Sequence, residues 1–150
     1  MKILYSDASF DYRHTDTTEE TIVRGKIAVS GEDISTIDKV AVGKVPELKQ
    51  YINILELVAI ARAIELASEK QWQDNSLQIL TDSKTAMYWA RAGKIKPAVK
   101  TEAHENALEY LKKARLLFGG VITFNFVPRE MNLAGHLLEA ELELRKPHDL

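Results

Sequence analysis

Residues 2 to 10 alternate in side-chain character. Ile3, Tyr5, Asp7 and Ser9 fall on one face of an extended chain, and Leu4, Ser6, Ala8 and Phe10 on the other, the period of two that a strand requires. Aspartate is disfavoured inside strands, so Asp7 calls for a reason beyond the pattern. The polar run DYRHTDTTEET that follows reads as a turn or long hairpin loop with His14 on its surface. Two further strands are expected near residues 22–30 and 35–43, separated by Gly31-Glu32-Asp33. Three consecutive strands with short links predict an antiparallel meander.

Pro46 ends the strands, and residues 50–70 carry the strongest helical pattern of the chain. At about 100° per residue from Glu56, Ile60, Ala63 and Ala67 fall within about 40° of it, whereas Arg62, Glu65 and Glu69 point away. Glu56 therefore sits in the middle of the face that packs on the sheet, where an acid is costly unless it is hydrogen-bonded, paired or bound to a metal. A glutamate close enough to the helix start to escape to solvent is the alternative. Next, LQILTDSKTAMYWAR (77–91) takes a short apolar strand into a helix through Thr81-Asp82-Ser83. The loop Ala92 to Pro97 is punctuated by Gly93 and Pro97. A helix is expected over about 98–117, with Ala103, Ala107, Leu111 and Ala114 at helical spacing and a stop at Gly119-Gly120. VITFNFV (121–127) predicts a last strand, Pro128 breaks it, and Asn132 can cap a final helix to about Arg145. Tyr88 and Trp89 stand near the Gly/Pro loop, where packing in a core or lid accounts for them better than base stacking. His104 has no partner in sequence and reads as structural or exposed.

A chain of 150 residues amounts to about one domain, expected to span 1–150, and is long enough to bury a core without metal or disulfide staples. With 45% hydrophobic and 28% charged residues it has the composition of a soluble globule. The absence of cysteine excludes disulfides, thiolate zinc sites and a cysteine nucleophile. MKILYSDASF offers no signal-peptide core and no stretch approaches membrane-spanning length, so the cytoplasm is the expected location. A net charge of −2 argues against wholesale attraction to nucleic acid. Between Lys84 and Arg115, however, eight basic residues (Lys84, Arg91, Lys94, Lys96, Lys100, Lys112, Lys113, Arg115) stand against three acids (Glu102, Glu105, Glu109), a local excess of five. A nucleic-acid-binding patch and an ordinary solvated helix face both fit that run.

Asp82 lies at the carboxyl end of a strand in an α/β pattern, the edge where such folds place their chemistry. Asp82 or Ser83 as a plain helix N-cap fits the residue types too. On the final helix, Glu139 and Glu143 stand three and seven positions after His136, making a polar stripe beside Leu133, Leu137, Ala140 and Leu144. A histidine and a carboxylate one turn apart are spaced to share a metal ion, and are also common on exposed helix faces.

Taken in order, ILYSDAS around Asp7, the Asn-x-x-Glu of NILEL (Asn53 to Glu56), ILTDS around Asp82 and FVPREMNLAGH (126–136) resemble the type 1 ribonuclease H family and, more widely, the ribonuclease H-like nucleases and integrases. The resemblance covers most of the chain. It implies an α/β fold with a five-stranded mixed sheet, three antiparallel strands then two parallel, flanked by helices on both faces. It implies a metal-dependent endonuclease that hydrolyses the RNA strand of RNA/DNA hybrids with two divalent ions, Mg²⁺ or Mn²⁺, held by Asp7, Glu56 and Asp82. Discrimination of RNA from DNA would rest on 2′-hydroxyls in the wide minor groove. The resemblance further places Asn53 against the minor groove of the hybrid, and puts Lys94, Lys96 and Lys100 where some members carry a basic protrusion, here short; Ser83 is likewise expected to bind the nucleic acid. Acids clustered in this way repel one another, which predicts raised carboxyl pKa values without metal and stability that depends on metal.

The chain departs from the family at Asn132-Leu133-Ala134-Gly135-His136, where the pattern is Asn-x-x-Ala-Asp. Histidine stands at the fourth acid. Some junction-resolving nucleases of the superfamily use a histidine there with an acid three residues on, as His136 and Glu139 reproduce. Imidazole is softer than carboxylate, so His136 with Glu139 as ligands predicts a site favouring Mn²⁺. The family's flexible-loop histidine is missing between Pro128 and Asn132, and His148 is the candidate replacement. Two other readings remain open at this point: a structure-selective DNA nuclease of the same superfamily, and a ribonuclease H-like module that binds nucleic acid without cutting it.

Overall fold

The computed structural model describes residues 1–10, 21–46, 51–96 and 100–145. The polar run containing His14, Pro97 and the tail carrying His148 lie outside them. The elements follow the expected order: β1 (Lys2–Phe10), β2 (Thr21–Gly31), β3 (Ile34–Val45), α1 (Ile52–Glu69), β4 (Leu77–Thr81), α2 (Lys84–Ala92), α3 (Glu102–Phe118), β5 (Ile122–Phe126), a 3-10 turn over Arg129–Met131 and α4 (Leu133–Arg145). The strands form one sheet in the order β3-β2-β1-β4-β5. β1 pairs antiparallel with β2, and β2 with β3, while β4 runs parallel to both β1 and β5. The five-stranded mixed sheet is the one that the family resemblance implies.

Local chemistry explains most boundaries. The Ser83 hydroxyl accepts from the Ala86 amide at the start of α2, and Thr101 accepts from His104 at the start of α3, satisfying amides that have no partner inside the helix. Thr101 also sets the start of α3 four residues later than the apolar spacing suggests. Gly93 and Gly119 end α2 and α3 in the left-handed region, at φ 68° and 67°, which glycine enters without a Cβ penalty.

The register sorts the two sheet faces. Ala8 lies opposite Ile27 and Ser6 opposite Val29, whereas Asp7 lies opposite Ala28 and Ser9 opposite Lys26, so alternate residues of β1 and β2 face opposite layers. The first face carries α1: a Cβ on Gly25, opposite Phe10, would meet Leu55 at 2.7 Å. α2 and α3 pack against α1 on that side. α4 packs on β1, β2 and β3, and Lys26 from the second face reaches Glu141 of α4 at 3.0 Å. The core is therefore densest between the sheet and α1, whose Ile54, Leu55, Leu57, Ile60 and Ile64 are buried. Trp89 packs against this core while Tyr88 is exposed. His104 is buried, hydrogen-bonded through Nδ1 to Thr101 and set edge-on to Tyr51 and Trp89, and burial lowers its pKa. Among the described residues no helix is long and apolar enough to cross a membrane.

Candidate metal centre

The site forms where β4 stops and β1 continues. Their last parallel pair is Ser6 with Thr81, so beyond it β1 lacks a β4 neighbour. The chain leaves β4 through Asp82, and the Ser83 amide donates to the Thr81 hydroxyl at 3.1 Å to close the turn. The Ser83 hydroxyl also donates to Asn53 Oδ1 at 3.2 Å, tying the first turn of α1 to the first turn of α2. One turn after Asn53, Glu56 leans from the α1 layer toward the open edge of β1. Asp7 comes to the same opening from the α4 face, and the two carboxyls are hydrogen-bonded.

Asn132 fixes the third side. It is fully buried; its amide donates to the Ser6 carbonyl at 3.0 Å and to Asp82 Oδ2 at 3.3 Å, while its side-chain oxygen accepts from the Ala134 amide at 3.1 Å. One side chain thus joins β1, the β4–α2 turn and the start of α4. Next along α4, a Cβ on Gly135 would lie 2.8 Å from Asp7 Oδ2, so the missing side chain makes room for the Asp7 carboxylate.

Asp7, Glu56 and Asp82 each offer an oxygen within 4.8 Å of the others. Glu56 is only 4% exposed, and its Oε2 has no hydrogen-bond partner. Burial is the main reason that all three carboxyls titrate above their ordinary range. For Glu56 the repulsion of Asp7, the hydrogen bond to Asp7 and the repulsion of Asp82 add to it. The same bond lowers Asp7. For Asp82 the Asn132 amide and then the Arg129 charge oppose burial. An orphaned buried carboxylate oxygen beside two more carboxylates, with repulsion unrelieved, is the donor set that hard divalent cations such as Mg²⁺ and Mn²⁺ take; the residues present fit such an ion.

Of the other residues singled out in the sequence, Asn53 and Ser83 are brought together by their hydrogen bond at the rim of the acid cluster. Lys94, Lys96 and Lys100 are exposed around the connection between α2 and α3, which buried Ile95 anchors. His136 and Glu139 are exposed on α4 and stand outside the set of atoms within 4.8 Å. Sequence reasoning passed over Arg129, whose charge acts on both Asp7 and Asp82, and read Asn132 only as a cap. A cation in the short turn before the capped helix was the available signal for Arg129.

No family model matches the chain, and no curated protein matches it. Solved structures do. The RNase H1 of the halophilic archaeon Halobacterium salinarum NRC-1 superposes with a TM-score of 0.56 at 16% identity, covering 95% of this chain and 97% of that one. LC11-RNase H1, isolated from compost by a metagenomic approach, gives 0.59 at 17% identity over 96% of this chain and 97% of its own. The same enzyme in complex with an RNA/DNA hybrid gives 0.58 at 16% identity over 95% and 99%. With its strand order, its helices on both faces and its acids at the broken β1–β4 edge, the chain has the fold of the type 1 ribonuclease H structures.

Proposed function

We propose that this protein is a metal-dependent endonuclease acting on the RNA strand of RNA/DNA hybrids, and that residues 1–150 form one such domain. The observation that carries the reading is the convergence of Asp7, Glu56 and Asp82 within 4.8 Å, with a buried Glu56 oxygen left unpartnered. Support comes also from the fold it shares with LC11-RNase H1, a structure solved with an RNA/DNA hybrid. Bound divalent ions would supply Lewis-acid activation of a water and neutralisation of the leaving 3′ oxygen. The protein's task is then to hold charge in place. Asp7, Glu56 and Asp82 would hold the ions, Asn132 orients Asp82, and Arg129, exposed and with its charge felt by Asp7 and Asp82, would attract a substrate phosphate. Asn53 and Ser83, locked together beside Glu56, present polar groups for the minor groove, and Lys94, Lys96 and Lys100 offer charge to the backbone farther out. His136 and Glu139, one turn apart at the start of α4, would serve an ion only at the outer side of the cluster.

Wild-type protein and Asp7→Asn, each with Mg²⁺ and with Mn²⁺, should be assayed on a labelled hybrid, on duplex DNA and on a four-way junction. Cleavage of the hybrid by wild type, lost by more than about 100-fold in the variant, is expected, since changes even outside the ligand shell cost about 10- to 100-fold. Cleavage confined to the junction would select the structure-selective nuclease, and binding without cleavage of any substrate would refute the enzyme reading.

A further inference from the structure

Away from the acid cluster, the outer edge of the sheet carries a second concentration of unneutralised positive charge. β5 is an edge strand, and beside it Arg91, Arg115, Ile122, Thr123, Phe124 and Asn125 line a concavity of about 320 Å³. Arg91 donates through Nε to the Phe124 carbonyl at 2.9 Å and through an Nη to Asn125 Oδ1 at 3.2 Å. Arg115 donates to the Ala90 carbonyl at 2.9 Å, capping the end of α2, and its guanidinium lies 5.4 Å over the Phe124 ring. These contacts fix both planes yet use a minority of the five N–H donors that each guanidinium has. Among the described residues neither arginine is ion-paired to a carboxylate. Two oriented guanidiniums with donors to spare and no acid beside them suit the oxygens of a phosphate.

The concavity also lies in line with the acid cluster. Lys84 and Arg91 stand seven residues apart on α2 and so share a helix face; Lys84 Nζ sits 5.0 Å over the ring of Phe126. Phe126 pairs with Thr81, the residue before Asp82. Lys84, Arg91 and Arg115 therefore form a lane of cations along β5 that starts beside Asp82 and ends on the order of 10–15 Å away, or about three to four nucleotides of a strand.

We infer that the Arg91–Arg115 concavity is a phosphate-binding subsite for a nucleic-acid backbone, gripping the substrate several nucleotides from the point of cleavage. The inference rests on the proposed hybrid substrate for its occupant, and on this chain's own arginines for its chemistry. A small free anion would use the same donors, but the Lys84 lane leading from the cluster suits a continuous polyanion.

The test is binding, read without cleavage. Fluorescence anisotropy of labelled hybrids in EDTA, over a range of salt, compares wild type with Arg91→Gln, Arg115→Gln and the double variant; glutamine keeps a donor for the carbonyls that the arginines cap. Melting temperature and circular dichroism check that each variant is folded. The slope of log Kobs against log salt should flatten by about 0.7–0.9 per lost phosphate contact. The effect should vanish for hybrids that end within about two nucleotides of the cleavage point on the β5 side, because such duplexes stop short of the concavity at about 3.4 Å per nucleotide. Equal slopes for wild type and a folded double variant on long hybrids overturn the inference, as does an equal effect on long and truncated hybrids. Inorganic phosphate that raises the melting temperature of wild type but not of the double variant, with hybrid binding unchanged, would mark a small-anion site and likewise overturn it. If wild type cleaves nothing but the slopes flatten for any nucleic acid in the panel, the subsite stands and the nuclease reading falls; cleavage with unaltered slopes gives the reverse.

Discussion

Replacing Glu56 by glutamine should stabilise the metal-free protein at neutral and mildly alkaline pH. Two unit negative charges at the 4.8 Å that bounds the cluster repel by about 3.5 kcal/mol at an effective dielectric of about 20 and by about 0.9 kcal/mol in bulk water. Asp7 and Asp82 are only half-buried, so the relief falls between those limits, at about 1–3 kcal/mol. For a domain of this size each kcal/mol moves Tm by about 2–4 °C, which predicts a rise of about 2–12 °C in EDTA. The pH dependence has a definite sign. All three carboxyls are raised above their ordinary values of 3.8 and 4.5, so between those values and the raised ones the folded protein binds more protons than the unfolded chain. Wild-type stability is fully present below about pH 4 and is lost as pH rises through the raised range. The advantage of Glu56→Gln is accordingly smallest near pH 4 and grows as pH rises through that range. Divalent ions reverse the ranking: a ligand at about 100 times its Kd stabilises the folded state by about 2.7 kcal/mol, and the variant, with one ligand fewer, gains less. Differential scanning calorimetry across pH, with EDTA and with Mg²⁺ or Mn²⁺, measures all of this. A folded Glu56→Gln protein that melts at or below wild type in EDTA at pH 8 would refute the electrostatic reasoning.

Asn132→Ala removes a buried hydrogen-bonding amide and a helix cap, and should lower stability by about 2–4 kcal/mol in urea unfolding; a loss under about 1 kcal/mol would show that other groups hold the α4 junction. Gly135→Ala places a Cβ 2.8 Å from Asp7 Oδ2, so calorimetric titration should find divalent-ion affinity reduced by about 10- to 100-fold in a protein that still folds, and unchanged affinity would mean that α4 gives way instead. If His136 contributes a ligand, activity with Mn²⁺ exceeds that with Mg²⁺ and His136→Asp shifts the preference toward Mg²⁺; far greater wild-type activity with Mg²⁺ removes His136 from the metal centre.

Much of this architecture is legible in the sequence because its signals are local. The period-two run of β1, the 3.6-period face of α1 and the Gly119 stop each depend on neighbours a few residues apart. Asp7 and Glu56 could be singled out because each breaks the pattern of its own element, and a carboxyl that breaks a burial pattern needs a partner. Asn132 broke nothing: an asparagine before a helix looks like any other cap, and its bonds to Ser6 and Asp82 arise only once β1 and β4 lie side by side. Arg129 escaped for the same reason, since an exposed arginine in a turn is unremarkable until the fold brings Asp7 and Asp82 within range of its charge. Conversely, the regular spacing of His136, Glu139 and Glu143 has the same form whether the stripe faces a metal or water, and both His136 and Glu139 are exposed.

The amide of Asn132 grips a carbonyl 126 positions earlier in the chain. During synthesis, therefore, a ribosome that has delivered Asp7, Glu56 and Asp82 has not yet delivered the clasp that orients the last of them. A nascent polypeptide halted before α4 would carry all three acids of the cluster yet hold Asp82 loosely and leave the Asp7 side of the centre uncovered. Assembly of the acid cluster is thus tied to synthesis of α4, and that helix acts as the closing stitch of the centre as well as a layer of the fold.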